Sequence, residues 1–151
     1  MSLLFRYKAA RARRPAFPLG GRLTRPRPVL AVTLLGPGGV CPIDALLDTG
    51  ADDTVFPDRL ATAAGVDLSN APVGEASGIG TGAAQLRYAR VTLRLASSRE
   101  RREWQAWVGF TSTPLKYPLL GFAGFLQYFT ATFHGDREEV ELTVNGLYPG
   151  T

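Results

Sequence analysis

The residues best placed to do chemistry are the carboxylates of Ala45-Leu46-Leu47-Asp48-Thr49-Gly50-Ala51-Asp52-Asp53-Thr54-Val55. An Asp that follows a fully apolar strand emerges from the sheet at the edge of the core. The Thr-Gly pair after it allows a sharp turn, with hydroxyl and backbone N–H groups pointing back at the acid. Such a carboxyl is partly desolvated yet hydrogen-bonded, and its protonation depends on what stands beside it. That is the setting of a general acid or base. A bare Asp-Thr-Gly also serves as an Asx turn at a strand end, so the surrounding residues decide between the two.

Rival chemistries find little material. The single cysteine, Cys41, excludes an intrachain disulfide framework and a Cys-based structural zinc site. The single histidine, His134, excludes a multi-histidine metal site. A Ser-His-Asp triad would need His134, which lies in the last hairpin far along the chain from Asp48, so hydrolysis would run on carboxylates. Gly78-Ile79-Gly80-Thr81-Gly82 lacks the Lys-Ser/Thr that a phosphate loop requires. Cys41, before Pro42, reads as a small apolar strand residue. Trp104, Trp107 and the aromatics from Phe122 to Phe133 read as core or interface side chains.

The elements that must position Asp48 are short strands. At 151 residues the chain suits one domain, and its 45% apolar content suffices for a core. Its 17 Gly and 11 Pro favour many turns over a helix bundle. Val29–Leu35 and Ile43–Leu47 are apolar runs around the hairpin signal Gly36-Pro37-Gly38-Gly39. Asp58–Ala64, after Pro57 and before Gly65, predicts a helix of about two turns. Pro72–Ser77 and Leu86–Leu95 predict the arms of a hairpin with its tip at 78–82. Val91, Leu93 and Leu95 alternate with polar neighbours, as do Trp104, Ala106, Val108 and Phe110, so each strand has one wet face. Tyr117–Gly121 predicts a short buried strand, Phe122–Tyr128 a helical turn or two, and Phe129–Phe133 with Val140–Val144 a closing hairpin.

Charge divides the chain. Residues 1–28 carry eight basic and no acidic side chains, whereas the remainder carries nine basic and thirteen acidic ones. This Arg/Pro-rich segment reads as a solvated arm with a short strand at Leu3–Lys8, part of which could pair at an interface. It could touch nucleic acid or an anionic surface by counterion release. It lacks the interleaved aromatics of a base-stacking surface, which argues against nucleic acid as a partner. No apolar run reaches the ~18 residues of a membrane span, and the opening Leu3-Leu4-Phe5 is too short for a secretory segment. A cytoplasmic protein without membrane contact is the expectation.

Taken together, three motifs resemble the retroviral-type (retropepsin-like) aspartic proteases. Leu46 to Val55 is similar to their active-site segment. Gly78-Ile79-Gly80-Thr81-Gly82 resembles the glycine-rich tip of their flap. Leu119-Leu120-Gly121 resembles the hydrophobic-hydrophobic-Gly signature that supports the active-site loop, ahead of a short helix and a last strand. The resemblance covers residues 29–145, between the basic segment 1–28 and a tail at 146–151. It implies an all-β, closed acid-protease barrel with one or two short helices. It implies an aspartic endopeptidase that cleaves an extended polypeptide without a cofactor or metal.

Such proteolysis needs two carboxylates sharing one proton. The chain has one Asp-Thr-Gly and is too short for two fused lobes, so the resemblance implies a homodimer with one Asp48 from each subunit. It further implies that Thr49 locks the two loops together and that Gly50 accepts substrate backbone. Ala51 and Asp52 would line the cleft, with Gly78, Ile79 and Gly80 closing over the peptide. One departure stands out. The family has an Arg after the supporting Gly that pairs with the second acid; here Phe122 and Ala123 occupy those places. Arg59 or an arginine of the N-terminal segment could replace it, or Asp52 is solvated. Two alternatives follow: a peptide-binding module of the same fold that no longer cleaves, or a nucleic-acid-associated protein working through its arginines.

Overall fold

Leu3 is fully buried, so the chain is anchored almost from its start. The computed structural model describes residues 2–79 and 82–151. Strand β1 (Leu3–Arg6) contributes Leu3 to the core, while β2 (Lys8–Ala16) and β3 (Arg22–Arg27) form a separate two-stranded hairpin. The basic segment expected as an arm with one short strand is thus a strand followed by a hairpin. Its prolines exclude a helix but are tolerated in these edge strands.

Residues 29–120 then build one continuous seven-stranded sheet. Strands β4 (Val29–Gly36) and β5 (Gly39–Leu47) form the hairpin predicted from the Gly-Pro-Gly-Gly turn, and β6 (Val55–Pro57) follows the Asp48 segment. Helix α1 spans Asp58–Ala64, and Gly65 ends it with φ +70°. A side chain at Gly65 would meet Gly38 Cα at 2.7 Å, so the helix end rests directly on the β4–β5 turn. The long hairpin of β7 (Val73–Ile79) and β8 (Gly82–Ala96) leads to β9 (Arg101–Thr111) and the two-residue β10 (Leu119–Leu120). The order β4-β5-β10-β6-β9-β8-β7, with β4 also pairing β8, brings six of the seven strands into a closed ring. The expected all-β architecture is therefore present. Its wall is a ring rather than a regular barrel, because β6 and β10 contribute only three and two residues.

Alternation in the sequence becomes burial in the fold. Val91, Leu93 and Leu95 of β8 and Trp104, Ala106, Val108 and Phe110 of β9 face the core, while Trp107 is half exposed. Trp104 packs edge-on against Phe125 and Phe129 at centroid distances of 5.6 and 5.3 Å, and its Nε1–H donates to Gly124 O at 3.0 Å. This cluster explains why 122–128 holds only a 3-10 turn at Leu126–Tyr128. Gly124 has φ +92°, outside helical space, and Phe125 is turned inward onto Trp104. Strands β11 (Phe129–His134) and β12 (Glu139–Val144) close the chain and join β1 in a three-stranded sheet. Among the described residues no helix is long and apolar enough to cross a membrane.

Candidate active site

Asp48 stands one residue beyond β5, where the strand leaves the core. Leu47 is buried, Asp48 is half-buried, and Thr49 and Gly50 are exposed. Three interactions fix this exit. The Asp48 N–H donates to Leu120 O at 3.0 Å, which ties it to β10. The Gly50 N–H donates to Asp48 Oδ1 at 2.9 Å, so the turn aims a backbone donor at the carboxylate. The Ala51 N–H donates to Asp48 O at 3.2 Å and closes the turn. The Asx geometry and the emergent acid are the same structure.

β10 lies between β5, which it pairs in parallel at Leu46 and Leu47, and β6, which it pairs antiparallel at Val55. Gly121 follows it into the tightest contact of the site. A Cβ there would stand 2.1 Å from Asp53 O and 2.8 Å from Ala51 O. Glycine alone lets the two segments approach this closely. The fully buried Thr54 fastens the approach: its hydroxyl donates to Ala123 O at 2.8 Å and accepts the Gly121 N–H at 3.3 Å. Thr54→Val keeps the volume but leaves the buried Gly121 N–H without its acceptor, which costs about 1–3 kcal/mol. We expect a lower urea midpoint at unchanged m-value; an unchanged midpoint would remove Thr54 from this role.

Asp48, Gly50, Ala51 and Asp52 open onto one cleft of about 250 Å³, together with Asp53, Val55 and Leu119. Its other wall is Glu75, Ala76 and Ser77 of β7. Thr49 borders a different recess, also touching Asp48, with Pro26, Pro28, Leu46 and Phe133. Of the expected cleft-closing residues, Gly78 and Ile79 end β7, and the Ile79 backbone pairs with Gly82. Gly80 and Thr81 lie outside the described residues.

The cleft is acidic. It is lined by Asp48, Asp52, Asp53 and Glu75 and by no cation. Among the described residues Asp52 forms no ion pair, so neither Arg59 nor an N-terminal arginine takes the vacant place; its carboxylate is exposed. Asp53 accepts a hydrogen bond from Tyr88 Oη at 3.0 Å. Burial, with the Asp53 carboxylate beside it, pushes the Tyr88 phenol above its ordinary range, so it stays a donor at neutral pH. Sequence reasoning missed Thr54 and Tyr88. The first stood in the quoted segment as a plain threonine, and the second is reached only by the pairing of β8.

His134 sits on β11 facing Glu141 at 3.8 Å, and Cys41 lies half-buried on β5. A larger hollow lined by Leu35, Val66, Tyr88 and Arg90 holds no pair of acids and lies away from Asp48. Among the described residues no three His, Cys, Asp or Glu side chains could hold a metal ion.

Comparison with known proteins agrees with this fold. Residues 31–122 match a family model described as aspartyl protease. The fold is similar to that of a retropepsin-like aspartic protease from Rickettsia conorii, with a TM-score of 0.56 and 17% sequence identity over 94% of this chain and 98% of that one. No curated protein sequence matches the chain.

Proposed function

Because the chain belongs to the aspartyl protease family, we propose that it is an aspartic endopeptidase that works as a homodimer on an extended polypeptide. The observation that carries this reading is the exposed Asp48 turn. Its carboxylate is held by a backbone N–H, and among the described residues it bonds to no second carboxyl group of its own chain. A partner copy is the natural source of the second acid. Two Asp48 turns meeting on a two-fold axis give like charges that cannot both ionise, so the pair holds one proton.

In this mechanism the ionised Asp48 takes a proton from a water held between the pair, and the protonated one donates to the scissile carbonyl oxygen. The water oxygen bonds to the carbonyl carbon and yields a neutral tetrahedral diol. The proton gained by the first carboxyl passes to the amide nitrogen, the C–N bond breaks, and a diol hydroxyl returns its proton to the second. No covalent enzyme intermediate forms. Thr49 locks the two turns across the axis, and Gly50 accepts the substrate backbone. Ala51 and Asp52 line its path, and the end of β7 at Gly78 and Ile79 closes over it in the manner of an added strand.

Light scattering is expected to give twice the chain mass of 16.3 kDa. A statine-type inhibitor should bind and stop cleavage of an extended peptide. A stable monomer under assay conditions would sink the shared-acid mechanism. Inhibitor binding without turnover would favour the second reading, a peptide-binding module, for which the unpaired Asp52 is the supporting observation.

A further inference from the structure

The β2–β3 hairpin carries a trough of about 750 Å³ walled by Arg11, Arg13, Arg14, Arg25, Arg27 and Lys116. Among the described residues none of these six has a carboxylate within ion-pair distance. The hairpin's other two cations differ. Lys8 meets Asp44 and Arg22 meets Glu138, each at 2.6 Å, and these contacts tie the hairpin to the body. Among the described residues Nε of Arg27 is buried without an acceptor. So many unneutralised guanidinium groups around one hollow repel each other and lack a polyanion.

We propose that this trough binds single-stranded nucleic acid, with backbone phosphates on the arginines and a base against Phe17. Guanidinium forks match phosphate oxygens two at a time. Cations that face each other across a hollow suit a strand better than a flat bilayer. Phe17 separates this ligand from an acidic peptide: it lines the same trough and is 90% exposed. An aromatic face beside a basic track is the usual arrangement for stacking an unpaired base. The aromatic is in the sequence after all: of the segment's Phe5, Tyr7 and Phe17, the first two pack against the core and Phe17 alone lines the trough. The β2 irregularity between Arg11 and Ala16 bends residues 12–15, and the 3-10 turn Phe17–Leu19 follows directly. The trough shares no residue with the Asp48 cleft, although its Arg27 also lines the recess beside Thr49, and it stands whether or not the chain cleaves peptides.

The test is fluorescence anisotropy of a labelled 20-mer of deoxythymidine with the full chain at several salt concentrations. Four or five phosphate contacts on a single strand predict a slope of log K against log salt of about −3. Phe17→Ala is expected to weaken binding about tenfold at an unchanged slope, because it removes stacking and no charge. The combined variant Arg11→Ser, Arg13→Ser, Arg14→Ser, Arg25→Ser should lose both the affinity and the slope. Absence of binding at low salt would overturn the proposal. So would equal affinity for polyglutamate or for phosphatidylglycerol vesicles with Phe17→Ala silent. The Phe17 variant keeps the test decisive if the arginine variant misfolds.

Discussion

Asp48→Asn is expected to abolish peptide cleavage while leaving the fold and the solution mass unchanged. The substitution is nearly isosteric, and an amide oxygen can still accept the Gly50 N–H that now reaches Oδ1 at 2.9 Å. The side chain is only half-buried, so no new polar group is sealed in the core. What disappears is the ability to take or give a proton, and general acid–base catalysis alone is worth on the order of 10²–10⁴-fold. In a homodimer both copies change at once, so no carboxyl remains on the axis. A mixed dimer keeps one acid and lacks its complement. Equal amounts of native and variant chains, exchanged to equilibrium, should retain about a quarter of the native rate, the share of all-native dimers in a two-fold assembly. Cleavage retained by the pure variant would remove Asp48 from the chemistry; about three-quarters of the native rate in the mixture would show that one acid is enough.

Gly121→Ala should be strongly destabilising. The added methyl would lie 2.1 Å from Asp53 O, 2.6 Å from Asp53 C and 2.8 Å from Ala51 O. All three are backbone atoms, so no side chain can swing away. Relief requires pulling β10 from the Asp48 segment, which would stretch the Asp48 N–H bond to Leu120 O and the Gly121 N–H bond to Thr54. Overpacking usually costs about 1–3 kcal/mol, and this rigid contact belongs at the upper end. The melting temperature should fall by about 2–4 °C per kcal/mol in a protein of this size, with cleavage lost in parallel. Gly135→Ala is the control, since that position opens to empty space without a positive φ. Equal stability of the two variants would refute the argument.

The Asp48 turn was legible because its information is local: an apolar strand, an acid, a hydroxyl and a glycine in succession. Helix α1 was legible for the same reason, with its Gly65 stop in sequence, and the faces of β8 and β9 followed from strict alternation. Long-range pairings were not legible. The Thr54 hydroxyl spans 67 residues to Gly121 and the Tyr88 phenol 35 to Asp53, and no spacing rule announces either bond. The Phe122–Tyr128 stretch has helix-compatible residues, but Trp104 draws Phe125 and Phe129 inward, and tertiary packing overrides local preference. The N-terminal arginines gave a charge and not a shape.

The two-residue strand β10 also bears on how the protein comes into being. Asp48 leaves the ribosome long before Leu120, the residue whose carbonyl fixes its amide. Until that late segment emerges and threads between β5 and β6, the loop bearing the acid has only its own turn to hold it. Contacts so distant along the chain form slowly, because loop closure precedes their reward. A nascent chain arrested before Leu119 should therefore show no protection of the Asp48 amide in hydrogen exchange. Under the proposed mechanism, the acid is therefore fixed in its working position only after the β10 segment has been made and folded back onto it.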